Sequence, residues 1–143
     1  DDQDWGEEER WFDFDPDLEV YRAGEIPIYD HLNKSRLYIA TYNGTSFLET
    51  FVSNFPTILF WNPGHWELRP QAQPFYDELR KVGILHDLPE SAATLVNEIY
   101  DNPLDWWMEP ERQSARKHFC NQFALTSDDW LRDWKNELKS LLD

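Results

Sequence analysis

Apolar positions along this chain fall into two patterns, short continuous runs and helically spaced stripes. Leu37 to Tyr42 and Thr57 to Trp61 are nearly continuous apolar runs, which is typical of strands that are covered on both faces. Between them, residues 45–54 place apolar side chains at offsets of one, four and five, which lie on one face of a helix. The sequence therefore predicts a strand, a helix and a second strand, with Pro56 ending the helix.

The same alternation continues on both sides of this unit. In chain order, the further predicted elements are a strand at 18–21, a helix at 28–35, a helix at 71–81 that Gly83 stops, a strand at 84–86 and a helix from Pro89. Such alternation predicts an α/β fold in which right-handed crossovers join parallel strands. We expect a partial Rossmann-like domain of three layers, with a mostly parallel sheet of about four strands.

From Glu109 the pattern is helical only. Ala115, Phe119 and Phe123 recur every four residues, and a last helix follows a cap at Thr126 or Ser127. The apolar residues of the last helix are Trp130, Leu131, Trp134, Leu138 and Leu141. We expect both helices to pack back on the sheet, so the predicted organisation is an acidic lead-in of loop or irregular structure (1–17), an α/β half-domain (18–108) and C-terminal helices (109–143).

The charge distribution excludes some classes of partner. The formal net charge is −15, and residues 1–19 hold ten acidic residues and one arginine, leaving 18 acidic against 12 basic residues in the rest. This balance argues against a nucleic-acid surface, which needs clustered Lys and Arg. Cys120 is the single cysteine, so an internal disulfide is impossible, and we expect a cytoplasmic location, with peripheral membrane association left open. No apolar run approaches the roughly 20 residues of a spanning helix.

Two polar segments follow neighbouring predicted strands. In a parallel sheet, ligands bind beyond the carboxyl ends of the strands, and both the turn Asn43–Ser46 and the loop Asn62–Arg69 leave such ends. Gly44 allows the backbone to approach a ligand, the hydroxyls of Thr45 and Ser46 can donate, and the first helical turn has unpaired amides. The turn residues Asn43, Gly44, Thr45 and Ser46 therefore suit a diphosphate. The alternative is that Thr45 or Ser46 only caps the helix.

The second loop brings an imidazole, a carboxylate and a guanidinium within five residues, at His65, Glu67 and Arg69. Arg69 can pair with a phosphate, His65 can donate to one, and Glu67 can accept from a sugar hydroxyl. Together with Asn62 these residues are the candidate loop for the sugar or nucleotide of a donor. The alternative role for His65 is that of a structural hydrogen-bond donor.

Other chemistry finds no support in the sequence. No Ser-His-Asp order is defensible and no base can be assigned to the single cysteine, so the catalytic residues stay unknown. The four histidines lack the spacing of a zinc site, and we predict no metal. The pairs Trp106–Trp107 and Trp130/Trp134 could stack sugars or bases, but packing in the core or between domains is favoured.

Several runs together resemble a known group of proteins. They are Tyr42–Glu49, Asn54–Arg69, Val82–His86, Pro89–Ala92 and Thr126–Asp128. These runs resemble the C-terminal part of transferases found in bacterial O-antigen and surface-carbohydrate clusters. More distantly, the chain is similar to the second Rossmann-like domain of GT-B glycosyltransferases and to polyol-phosphate transferases.

The resemblance implies a donor-binding portion of a transferase that moves a sugar or polyol-phosphate from a nucleotide-activated donor. It implies no tightly bound cofactor, and an N-terminal domain of the parent protein as partner. The strands that a complete GT-B domain would add lie between 18–21 and 37–42 in the sheet, so we expect a fragment, inactive alone, that either dimerises through the open sheet edge or rearranges its first strand. Two alternatives stay open: a non-catalytic nucleotide-sugar-binding or interaction module, and a nucleotide-sugar epimerase of related fold.

Overall fold

A computed structural model describes residues 6–21 and 24–141, apart from the side chain of Glu7. Contacts divide the chain into two units, residues 1–34 and residues 35–143. Each unit is described by itself below.

The described residues of the first unit form two short helices, α1 (Glu7–Phe14) and α2 (Ile28–Leu32). The predicted helix at 28–35 is thus confirmed in its first part, and α1 forms where a loop was predicted. The predicted strand at 18–21 is wrong, because Leu18 and Tyr21 are exposed and the segment pairs with no strand. Four residues whose apolar and polar side chains alternate only weakly do not form a strand unless they pack into a sheet.

The second unit is built on a parallel sheet of three strands, β1 (Tyr38–Ala40), β2 (Thr57–Phe60) and β3 (Leu85–His86), in the order β1-β2-β3. Ile39 aligns with Ile58, and Leu59 aligns with Leu85. β2 lies in the middle, and Thr57, Ile58 and Leu59 are fully buried, as its continuous apolar run predicts. The α/β class and the parallel sheet are confirmed, with three strands rather than about four in the described residues.

Six helices accompany this sheet. They are α3 (Ser46–Val52), α4 (Gln73–Lys81), α5 (Pro89–Ile99), α6 (Pro103–Trp107), α7 (Pro110–Phe123) and α8 (Trp130–Ser140). The crossovers through α3 and α4 run in the same direction across the sheet, so right-handed connections put both helices on one face. α7 packs against both α3 and α4. The sequence analysis does not predict α6 as a separate helix.

An aromatic cluster holds α3, α4 and α7 together. Phe119 of α7 contacts Phe47 and Phe51 of α3, with ring centroids 5.9 and 5.6 Å apart, and Tyr76 of α4 at 5.1 Å. All four side chains are buried. This cluster lies on the sheet face that α3 and α4 cover.

Two arginines of α7 bind the carboxyl ends of these helices. Arg112 donates from Nε to the carbonyl oxygen of Val82, just after α4, at 3.0 Å. Arg116, itself buried, donates from Nη1 to the carbonyl oxygen of Phe51 in the last turn of α3, at 2.6 Å. A cation is favoured at this end of a helix because the carbonyl groups there carry partial negative charge.

The tryptophan pairs behave differently. Trp106 and Trp107 are buried as predicted, whereas Trp130 and Trp134 are 61% and 62% exposed. Trp130 and Trp134 therefore do not belong to the core, and packing of this pair between domains stays a prediction. The whole of α8 has no buried residue.

β1 pairs only with β2 among the described residues, which leaves its other side as a sheet edge. This edge is where the predicted homodimer would form, and that pairing stays a prediction.

Candidate functional site

The carboxyl ends of the three strands lie together at one end of the sheet, the carboxyl edge, which is distinct from the lateral edge along β1. Because Ala40 aligns with Leu59, and Phe60 with His86, the segments that follow β1, β2 and β3 leave this edge side by side. Since β1 and β2 are adjacent strands, the turn 43–46 and the loop 62–69 leave neighbouring positions.

In the first segment, polar side chains are held by the residues behind them. Asn43 accepts a hydrogen bond through Oδ1 from the Tyr76 hydroxyl at 3.0 Å. Burial raises the pKa of the Tyr38 hydroxyl, and the nearby Ser46 side chain offsets part of this rise. Thr45 precedes α3 at the N-cap position, yet its side chain makes no capping hydrogen bond, so capping by Thr45, the alternative reading, is not what the geometry shows.

Gly44 lies against the Tyr42 ring. A Cβ atom built there would overlap that ring, so a side chain at position 44 would require the ring to move. The space that the glycine leaves open is thus taken by the Tyr42 ring. A ligand that approaches the Gly44 backbone must contact this ring or displace it.

The second segment begins with a 3₁₀ turn, Pro63–His65. Asn62 precedes it and accepts through Oδ1 from the Gly64 amide at 2.8 Å, which fixes the direction in which the loop leaves β2. His65, Glu67 and Arg69 follow, all exposed. The loop therefore presents its charged and titratable groups to solvent at the carboxyl ends of the strands.

Two aromatic residues that sequence reasoning missed link the segments. The ring of Tyr42 lies 6.2 Å from the ring of Trp66, centroid to centroid, with an angle of 33° between the planes. Both are partly exposed, at 52% and 39%. Their positions beside the predicted polar residues could have indicated a role in the site, because an aromatic residue in such a loop belongs to no apolar face of a helix or strand.

His86 ends β3 at the same edge. Its Nε2 lies 3.1 Å from the Gly83 carbonyl oxygen, which can only accept, so Nε2 carries a proton. Burial lowers the pKa of His86 and favours the neutral ring, whose Nδ1 lies 3.0 Å from Ser91 Oγ. The Ser91 hydroxyl in turn donates to the Leu88 carbonyl oxygen at 2.9 Å. Both nitrogens are engaged inside the protein, which points to a structural role.

We expect this histidine to make stability depend on pH. Its folded pKa lies below the ordinary value of about 6.5, so the unfolded chain binds more protons as the pH falls. The stabilisation is present above about pH 6.5 and is lost as the pH falls through the folded pKa. Urea unfolding between pH 8 and 5 should show a smaller loss for His86→Gln than for the unmodified chain. An equal loss in both, or an equal change in the control His65→Gln at an exposed loop position, would contradict this role.

Nucleophilic and metal chemistry find no centre in the described residues. Burial raises the pKa of the Cys120 thiol, which keeps it in the unreactive protonated form. Within residues 6–21 and 24–141, no group of three or more His, Cys, Asp or Glu side chains is placed to hold a metal ion. Across the same residues, no helix has the length and apolar character needed to cross a bilayer.

Comparison with known proteins supplies the class of activity. The model of a family described as LIC12162 family transferase matches residues 1–138. No curated protein and no solved structure matches the chain. The family match confirms the expectation of a transferase, while the O-antigen and GT-B assignments stay predictions. The chain belongs to the LIC12162 family of transferases.

Proposed function

We propose that this chain is the donor-binding C-terminal portion of a transferase that moves a sugar or polyol-phosphate from a nucleotide-activated donor during surface polysaccharide biosynthesis. The family match supports group transfer. The donor class and the biosynthetic setting rest on the resemblance of the runs Tyr42–Glu49 and Asn54–Arg69 to surface-carbohydrate transferases.

One observation carries the proposal: the polar segments after β1 and β2 leave the same edge of the sheet, and the rings of Tyr42 and Trp66 meet between them. A nucleotide-activated donor has a diphosphate flanked by a sugar or polyol and a nucleoside. It therefore needs anion-binding groups next to apolar faces and hydroxyl-binding groups. The two segments offer this combination.

Each candidate residue has a role in this scheme. The diphosphate is bound by the Ser46 amide, the Thr45 hydroxyl and the Arg69 guanidinium. Gly44 shapes the turn between them, since its own amide donates to the Tyr42 carbonyl oxygen at 2.9 Å. The rings of Tyr42 and Trp66 stack on a sugar or a base. The hydroxyl or nucleotide groups are bound by the loop residues Asn62, His65 and Glu67. Asn43 holds the turn through its bond to Tyr76.

The transfer itself divides the work between groups. For a sugar donor, an acceptor oxygen bonds to the anomeric carbon while the bond to the nucleoside diphosphate breaks, and the leaving diphosphate gains negative charge. Amides and a guanidinium held beside that diphosphate stabilise the charge as it develops. The proton of the acceptor goes to a base, which the resemblance assigns to the N-terminal domain of the parent protein.

We expect Trp66→Ala and Arg69→Ala each to weaken binding of a nucleoside diphosphate sugar by about five- to thirtyfold, since each removes one stacking or one charged contact worth about 1–2 kcal/mol. Isothermal titration calorimetry with uridine, guanosine and cytidine diphosphate donors measures this. Both side chains are on exposed loop positions, so far-ultraviolet circular dichroism should be unchanged.

Trp130→Ala and Arg132→Ala are matched controls on exposed positions of α8. They should leave the affinity unchanged. Equal weakening by the controls, or unchanged affinity in both loop variants, would contradict the proposed site.

A further inference from the structure

α8 carries an unusually apolar exposed surface. Trp130, Leu131, Trp134, Leu138 and Leu141 are between 56% and 73% exposed. At about 100° per residue they fall within one third of the helix circumference, forming a single stripe. Contiguous apolar surface of this kind marks a contact site for another molecule. We call these five residues the α8 stripe.

The charges beside the α8 stripe are sorted by sign. Asp133 and Glu137 lie along one side of it, one helical turn apart, and Lys135 and Lys139 lie along the other. Arg132, on the basic side, is paired with Asp129 at 2.7 Å and more loosely with Asp133 at 3.7 Å, so Glu137 is the acidic residue without an ion pair within α8. The helix is therefore acidic on one flank and basic on the opposite flank.

This arrangement is complementary to itself in one orientation only. When two copies of such a helix face each other in parallel about a twofold axis, the acidic flank of each meets the basic flank of the other. In the antiparallel orientation, acidic meets acidic and basic meets basic. Flanking charges select partners and orientation in this way in paired helices.

A groove on the acidic side of the α8 stripe has the size for side chains of a second copy. It has a volume of about 310 Å³ and is lined in part by Trp130, Trp134, Asp133 and Glu137. Lysine places its aliphatic stem on apolar surface and its ammonium group beside carboxylates or an aromatic face. The lysines of a facing α8 have this chemistry.

We propose that α8 is a self-association surface, which pairs in parallel with α8 of a second copy of this chain through the α8 stripe. A lipid surface fits less well, because membrane-surface helices concentrate Lys and Arg on the polar face, whereas one flank here is acidic. The pairing involves none of the donor-site residues and is independent of the proposed function.

The expected association is weak and reversible. One helix of eleven residues contributes much less than the roughly 1,200 Å² that stable interfaces bury. The net charge of −15 also repels two copies at long range. Measurements therefore belong at about 0.15 M salt, where charges beyond about 8 Å are screened, and at protein concentrations up to about 1 mM.

Sedimentation equilibrium of the unmodified chain and two single variants tests the surface. We expect a monomer–dimer equilibrium that Trp134→Ala weakens at least about tenfold, since aromatic residues at a contact centre dominate such energies. Trp11→Ala, at another exposed tryptophan, should have no effect. Ile39→Lys, on the exposed face of β1, should also have none, which separates this contact from pairing through the sheet edge.

Charge exchange tests the orientation through each variant alone, because exchange turns attraction into repulsion in a parallel pair, whereas like charges already face each other in an antiparallel pair. The mixture tests whether the flanking charges lie in the contact at all. One variant carries Glu137→Lys, and the other carries both Lys135→Glu and Lys139→Glu. Asp133 is kept because it accepts a hydrogen bond from Ser127. Each variant alone should dimerise at least about tenfold more weakly, and an equimolar mixture should associate again as a heterodimer, because opposite charges then meet on both flanks.

Three results would overturn the proposal: a monomer at about 1 mM, a dimer that Trp134→Ala leaves intact, or a mixture of the charge variants that fails to associate. The first would assign the α8 stripe to a different protein or domain, and the second would move the contact to another surface. Circular dichroism of every variant confirms that α8 itself still forms.

Discussion

We expect replacement of Trp107 by alanine to lower the free energy of unfolding by about 3–5 kcal/mol. The side chain is fully buried on α6 and contacts Phe51, with ring centroids 5.9 Å apart. Its indole N–H also donates to both oxygens of Asn54, the backbone carbonyl at 3.0 Å and Oδ1 at 2.9 Å. Asn54 has a φ of 56°, a left-handed conformation that this bifurcated hydrogen bond helps to hold.

This loss of stability also bears on the candidate site. Asn54 lies in the turn between α3 and β2, and the loop 62–69 follows β2. Urea unfolding followed by circular dichroism measures the effect. Trp107→Phe, which keeps most of the ring and loses the N–H, should cost about 1–2 kcal/mol. Leu104→Ala, at an exposed position of the same helix, should change stability by less than about 0.5 kcal/mol. A loss below about 1 kcal/mol for Trp107→Ala would show that α6 does not pack as described.

The second large effect is expected at Arg116, where replacement by alanine should cost about 2–3 kcal/mol. Hydrogen bonds that involve a charged group contribute about 1.5–3 kcal/mol, and the Arg116 guanidinium donates to the Phe51 carbonyl at 2.6 Å and to Gln113 Oε1 at 3.2 Å. Phe51 keeps a bond from the Asn54 amide at 3.2 Å, which limits the cost. The buried stem of Arg116 adds lost packing.

Thermal and urea unfolding of Arg116→Ala beside Lys117→Ala measures this effect. Lys117 is the next residue of α7 and is exposed, so its replacement should be nearly neutral. Equal stabilities of the two variants would show that the arginine does not bind the end of α3.

The fold could be predicted where burial is strong and local. The run Thr57–Trp61 predicts β2 because a central strand is covered on both faces and its whole sequence must be apolar. The stripe of α3 and the Gly83 stop after α4 were read from spacing alone. The strand predicted at 18–21 is wrong because four residues are too few for their pattern to distinguish a strand from an irregular stretch. For α8, an amphipathic pattern predicts one apolar face, and pattern alone does not say what covers that face.

The candidate site could be predicted only as far as topology allows. Strand order at the carboxyl edge follows from the α/β pattern, so the neighbouring positions of the turn 43–46 and the loop 62–69 could be predicted. The meeting of Tyr42 with Trp66, and of Tyr76 with Asn43, depends on side-chain directions across loops that no periodicity encodes. The close fit of the Tyr42 ring over Gly44 was missed for the same reason.

The most direct test of the donor site is a titration of the isotopically labelled chain with nucleoside diphosphates, followed by amide nuclear magnetic resonance. We predict that amide signals of residues 43–47 and 62–69 shift together with one dissociation constant, while signals of α8 stay unchanged. Signals of residues 43–47 that do not move at millimolar ligand, or shifts confined to other parts of the chain, would contradict a donor site at the carboxyl edge of this sheet.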